Sequence, residues 1–83
     1  MNATTKALLF KAPWTSFTHA VVQMKKTGLE VELVDVTEAR GEGLAYKYGI
    51  KSLPTILFLD GDRELVRTST VPAESLIRKI KRL

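Results

Sequence analysis

Ala7-Leu8-Leu9-Phe10 is a continuous apolar run closed by Pro13. It predicts a short strand buried on both faces, the first central strand of a sheet. From about Thr15 to Thr27 the spacing becomes helical: Ala20, Val21, Val22 and Met24 fall on one face with Phe17, Gln23, Lys25 and Lys26 fall elsewhere, and Gly28 supplies the stop. Glu30 to Val36 has the alternation and β-branched content of a second strand. Strand, helix and strand in series imply a right-handed parallel unit. Gly41 and Gly43 then mark a loose entry into a short helix running through Leu44, Ala45 and Tyr48. Leu53 to Asp60 reads as a third strand, and Asp60-Gly61-Asp62 turns it into an antiparallel edge strand, Glu64-Leu65-Val66-Arg67. The last helix opens near Pro72 and places Leu76, Ile77, Ile80 and Leu83 on one stripe that should cover the sheet. The expected class is α/β: order βαβαββα, a four-stranded mixed sheet flanked by helices, in a single domain over residues 1–83.

Composition narrows this further. At 45% hydrophobic and 27% charged residues the chain suits a globular protein rather than a disordered one. Eighty-three residues hold one core, and a domain this small buries only roughly 60% of its unfolded surface. There is no cysteine, which removes disulfides, thiolate metal sites and every thiol reaction at once, and leaves the redox compartment open. The lone His19 has no evident catalytic or metal-binding partner, and no phosphate-cradle pattern follows Gly41 and Gly43. No cofactor or metal is expected. The net charge of +4 gathers at Arg78, Lys79, Lys81 and Arg82, which suit a solvated helix C-terminus and, alternatively, contacts to an acidic partner such as nucleic acid. Met1 to Lys6 lacks the apolar centre of a signal peptide, and no apolar run approaches the ~18 residues of a membrane span. A soluble, cytoplasmic protein without a membrane partner is the expectation.

Candidate chemistry concentrates between the first strand and the first helix. Phe10 to Thr18, Phe-Lys-Ala-Pro-Trp-Thr-Ser-Phe-Thr, delivers Trp14 and Thr15 to a helix N-terminus, where unpaired N–H groups attract anions or thiolates. Phe-x-Ala-x-Trp followed by C-x-x-C is the active-site signature of thioredoxins, and this segment resembles it with Thr15 and Thr18 in place of both cysteines. Tyr48-Gly49-Ile50-Lys51-Ser52-Leu53-Pro54-Thr55, about 40 residues further on, is similar to the thioredoxin segment that carries the family's cis-proline. The resemblance implies a thioredoxin-like fold with a cis peptide at Leu53–Pro54 facing the old active-site loop.

The resemblance also frames the function. Thiol–disulfide exchange needs a thiolate that attacks and a sulfur that is attacked; threonine provides neither, so replacing both positions abolishes the reaction outright. By the same alignment Leu9 stands where many thioredoxins carry a proton-moving aspartate, and Leu33 where a nearby lysine stands. Four replacements in one direction favour natural loss of redox function over an engineered thiol-free variant. What the family pattern leaves is a peptide groove, carried over to Trp14, Thr15, Ser16, Phe17, Leu53 and Pro54. Trp14 and Phe17 would be its apolar anchors and Leu53 would supply main-chain hydrogen bonds. The bland alternatives are that Phe17 packs into the helix face, Trp14 covers the sheet edge and Thr15 only caps the helix. The expected function is a redox-inactive protein-binding module or accessory subunit with a protein partner. Competing readings are a glutathione-binding or transferase-like activity through Thr15, a Cys-to-Thr variant of a thioredoxin- or glutaredoxin-type oxidoreductase, and an auxiliary nucleic-acid contact by the basic C-terminal helix.

Overall fold

A computed structural model describes residues 5–14, 18–70 and 72–82. Its elements follow the expected order: β1 (Thr5–Lys11), α1 (Thr18–Lys25), β2 (Glu30–Asp35), α2 (Ala39–Lys47), β3 (Thr55–Asp60), β4 (Arg63–Thr68) and α3 (Glu74–Ile80). They form an α/β fold, as the resemblance implies, built on one four-stranded sheet in the order β2-β1-β3-β4. β1 runs parallel to β2 and antiparallel to β3, and β3 is antiparallel to β4, so the sheet is mixed.

The continuous apolar runs mark the two central strands. Ala7 to Phe10 and Thr55 to Leu59 are all buried, because helices cover both faces of the sheet. Side chains alternate between two cores. Ala7, Leu9, Ile56 and Phe58 meet Met24 of α1 and Ile77 and Ile80 of α3 on one face. Leu8, Phe10, Leu57 and Leu59 meet Leu44 and Ala45 of α2 on the other. The β3–β4 hairpin turns at Gly61, whose φ of 63° is left-handed. Its ladder carries a bulge: Phe58 pairs with Val66 and Leu59 with Glu64, leaving Leu65 extra. Leu65 and Val66, though consecutive, both pack against the α1/α3 core, which a regular strand would not allow.

Three expectations change. Gly41 and Gly43 lie inside α2 rather than before it. Gly41 is buried against the Asp35 carbonyl, where any side chain would collide with backbone. The α1 stripe is narrower than the sequence suggests: Met24 is fully buried, Val21 half-buried, and Val22 exposed, while Phe17 lies outside the described residues. On α3, Ile77 and Ile80 are buried but Leu76 faces solvent, because a seven-residue helix presents only about two turns to the sheet and a single narrow stripe reaches it. Leu83 lies outside the described residues.

Glu32 ties three elements together. Lys6 of β1 sits 2.8 Å from its carboxylate and Arg40 of α2 pairs with the other oxygen. The Lys6 hydrogen bond, helped by Arg40, holds the Glu32 carboxyl below the usual carboxylate range. Among the described residues, no helix is long and apolar enough to cross a membrane.

Candidate functional site

The strand registers bring the two resemblance-bearing segments to one end of the sheet. Phe10 is opposite Val34 in the parallel ladder and opposite Thr55 in the antiparallel one. The C-terminal ends of β1 and β2 therefore meet the N-terminal end of β3. Ala12-Pro13-Trp14 leave from the first of these ends, and Ser52-Leu53-Pro54 arrive at the last.

Each segment is fixed locally. Ala12 is buried, and Val36 N–H donates to the Lys11 carbonyl at 3.1 Å, which extends the β1–β2 pairing by one residue. Asp35 accepts from the Thr37 hydroxyl at 2.6 Å and the Thr37 N–H at 2.9 Å, closing the turn after β2. Those two bonds, the hydroxyl first, hold the Asp35 carboxyl below its ordinary range. On the β3 side, Leu53–Pro54 is cis and the Thr55 hydroxyl donates to Ser52 O at 2.7 Å. Arg67 of β4 donates to the Tyr48 and Gly49 carbonyls at the end of α2 while pairing with Glu64 at 2.9 Å. It thus clamps the start of the segment that leads to Leu53.

The chemistry this end offers is apolar and main-chain. Pro13 is exposed, and Trp14 is 83% exposed. Leu53 is 43% exposed, and among the described residues nothing bonds its N–H or C=O. Leu33, opposite Leu9 in the parallel register, shares that residue's α1-facing side and is 44% exposed. Leu9 itself is completely buried. Of the groove residues read from the sequence, Trp14, Leu53 and Pro54 lie on segments that leave or enter the sheet at this end. Thr15, Ser16 and Phe17 lie outside the described residues, and α1 begins at Thr18.

The remaining candidates lie elsewhere. His19 is exposed on α1, its Nε2 3.0 Å from the Gln23 amide one turn on, and the described residues hold no cluster of three metal-ligating side chains. At the chain's basic end, the Lys81 ammonium donates to the Thr27 carbonyl and Arg78 pairs with Glu74 at 2.7 Å, whereas Lys79 and Arg82 are exposed. Sequence reasoning missed Arg67 and the Asp35–Thr37 turn. Asp-x-Thr after a strand was a readable turn signal; Arg67 carried none, since its carbonyl partners are distant in the chain.

No protein-family model matches the chain, and no curated protein matches it. Solved structures do. A thioredoxin from Halobacterium salinarum superposes with a TM-score of 0.75 at 21% identity, over 96% of this chain and 74% of that one. Fasciola hepatica thioredoxin gives 0.70 at 23%, over 98% and 82%. These two share the fold. Thioredoxin-2 of the malaria parasite, described as a component of that organism's protein secretion machinery, reaches 31% identity and a TM-score of 0.71, over 100% of this chain and 86% of that one. With that identity along nearly the whole length of both molecules, and with the Trp14 loop and the cis-proline segment meeting at one sheet end, the chain belongs to the thioredoxin family.

Proposed function

We propose that this thioredoxin-family member is a protein-binding module that carries out no thiol–disulfide exchange. Residues 1–83 form one domain, and it serves as an accessory subunit of a cytoplasmic assembly. The observation that carries the reading is Trp14: a ring left 83% exposed at the sheet end where the family's active-site loop stands, the same end that a Leu53 peptide with no bonding partner among the described residues approaches. An exposed indole provides a large contact area at low entropic cost. The free N–H and C=O of Leu53 are suited to pair with an extended segment, as an edge strand pairs with a peptide. Thr15 and Thr18 leave the loop without a thiol, and no cysteine elsewhere in the sequence replaces them. Thioredoxin-2's place in a secretion machinery is a family precedent for assembly with other proteins.

The test is affinity capture from the native host with the wild-type chain and with a Trp14→Ala, Phe17→Ala double variant, read by mass spectrometry. The reading predicts a defined protein that the wild type recovers and the variant does not. Truncating a central aromatic anchor costs about 2 kcal/mol or more, roughly a thirtyfold loss of affinity. Equal recovery by both proteins would move the binding surface away from this end of the sheet.

A further inference from the structure

A second surface lies on the α1/α3 face. Lys81 Nζ bonded to Thr27 O draws the C-terminal ends of α1 and α3 together, and Gln23, Lys26, Glu74 and Ile77 line a shared cleft between the helices. Residues 18–28 and 72–82 contain Lys25, Lys26, Arg78, Lys79, Lys81 and Arg82 against the single acid Glu74, a side-chain charge of +5. The whole chain carries +4, so the rest of the molecule is −1 by difference. One layer therefore holds the entire positive excess.

Helix dipoles do not absorb it. Two helix C-termini present at most roughly −0.5 charge each, which leaves about four positive charges unmatched. Arg78 is spent on Glu74 and Lys81 on Thr27 O. Lys25, Lys26, Lys79 and Arg82 are exposed, and no carboxylate among the described residues pairs with them.

We infer that this cluster binds the phosphate backbone of duplex nucleic acid, independently of the Trp14 end. Charge complementarity selects a polyanion, and the lack of aromatic side chains selects among polyanions. Neither α1, α3 nor the turns that follow them contain Phe, Tyr or Trp, so bases have nothing to stack on and a single strand gains little. A bilayer surface calls for several bulky apolar anchors among the cations; the exposed large apolar side chains described on α1 and α3 are Val22 and Leu76, each about half exposed, and the exposed indole belongs to the loop before α1, at the opposite end of that helix. Protein interfaces are depleted in lysine and anchored by aromatics, which describes the Trp14 end and not this one. Phosphate binding needs only accessible cations, and Lys25, Lys26, Lys79 and Arg82 stand exposed at the two helix C-termini that the Lys81–Thr27 bond joins.

The experiment is fluorescence anisotropy of a labelled 20-base-pair duplex titrated with the full chain between 20 and 200 mM salt. Four phosphate contacts give a slope of log K against log salt of about −3 to −4. Lys25→Gln, Lys26→Gln, Lys79→Gln and Arg82→Gln together should abolish binding. A control of equal net charge, Arg40→Gln, Lys47→Gln, Lys51→Gln and Arg63→Gln, should retain most of it, as should Trp14→Ala. Far-ultraviolet circular dichroism establishes that each variant is folded; should the quadruple variant unfold, Lys26→Gln with Lys79→Gln is expected to lower the slope by about 2. No duplex binding at 20 mM salt overturns the inference, and so does binding to anionic vesicles without binding to duplex. Equal loss in the two quadruple variants overturns it as well, since it would reduce the effect to diffuse net charge.

Discussion

Gly41→Ala is expected to lower stability by about 3 kcal/mol or more, at the upper end of what overpacking costs. The first turn of α2 rests directly on the end of β2. A Cβ at Gly41 would lie 1.8 Å from the Asp35 carbonyl oxygen, 2.6 Å from its carbon and 3.2 Å from a Val34 methyl. Two of those three atoms are backbone, so no rotamer change relieves the collision. The helix has to lift, and with it Leu44 and Ala45, which pack against Leu8, Phe10, Val34, Leu57 and Leu59. For an 83-residue domain the total stability is about 4 to 12 kcal/mol, so this one methyl group removes a large part of it. Gly43 is the internal control. It lies in the same helix with nothing within 4 Å of its would-be Cβ, so Gly43→Ala should stabilise by roughly 0.5 to 1 kcal/mol through helix propensity. Urea unfolding of the two variants beside the parent reads both signs. A Gly41→Ala protein as stable as the parent would mean that α2 does not sit on the Asp35 carbonyl.

The second large effect is a gain. The wild-type chain should leave the reduction of insulin disulfides by dithiothreitol unaccelerated, while Thr15→Cys with Thr18→Cys should accelerate it measurably. The inserted pair would follow Trp14 at the N-terminal side of α1, where unpaired N–H groups and the helix dipole lower a thiol's pKa. The restored activity should stay well below that of an ordinary thioredoxin. Positioned acid–base groups contribute roughly 10²- to 10⁴-fold, and the place of the family's proton-moving aspartate is taken by Leu9, which is fully buried among Ile56, Phe58 and Met24. A double-cysteine variant with no exchange activity would mean that the loop has lost the family's geometry along with its sulfur. An accelerating wild-type protein would contradict the proposed function at its root.

The fold was legible wherever a single local rule decided the outcome. Four apolar residues in a row made β1 a central strand, Asp-Gly-Asp made a hairpin turn, and Gly28 ended α1 with a φ of 81°. The signal failed where neighbours distant in sequence decide. Gly41 reads as a helix breaker by propensity, yet its reason for being glycine is the Asp35 carbonyl, six residues back and visible only once α2 is folded against β2. Leu76 reads as core by its 3.6-residue period, but α3 buries only the narrow Ile77–Ile80 stripe. The candidate site was read through resemblance, which singled out Trp14, Leu53 and Pro54; composition alone had no means of joining them. Arg67 was invisible for the opposite reason, because a charged residue on an edge strand is ordinary and its task lies in two carbonyls across the sheet end. The basic cluster was half visible: its C-terminal members stand together in the sequence, whereas Lys25 and Lys26 join them only through the Lys81–Thr27 bond.

The proposed binding role depends on an indole that stands in water until a partner covers it. Trp14 is the sole tryptophan of the chain, so its fluorescence reports this position without labelling. Acrylamide quenching of that emission, measured on the free protein and again with the captured partner at saturation, tests the claim most directly. The predicted result is quenching close to that of free tryptophan for the protein alone and strong protection in the complex. A ring already shielded in the free protein, or one equally accessible with the partner bound, would contradict it.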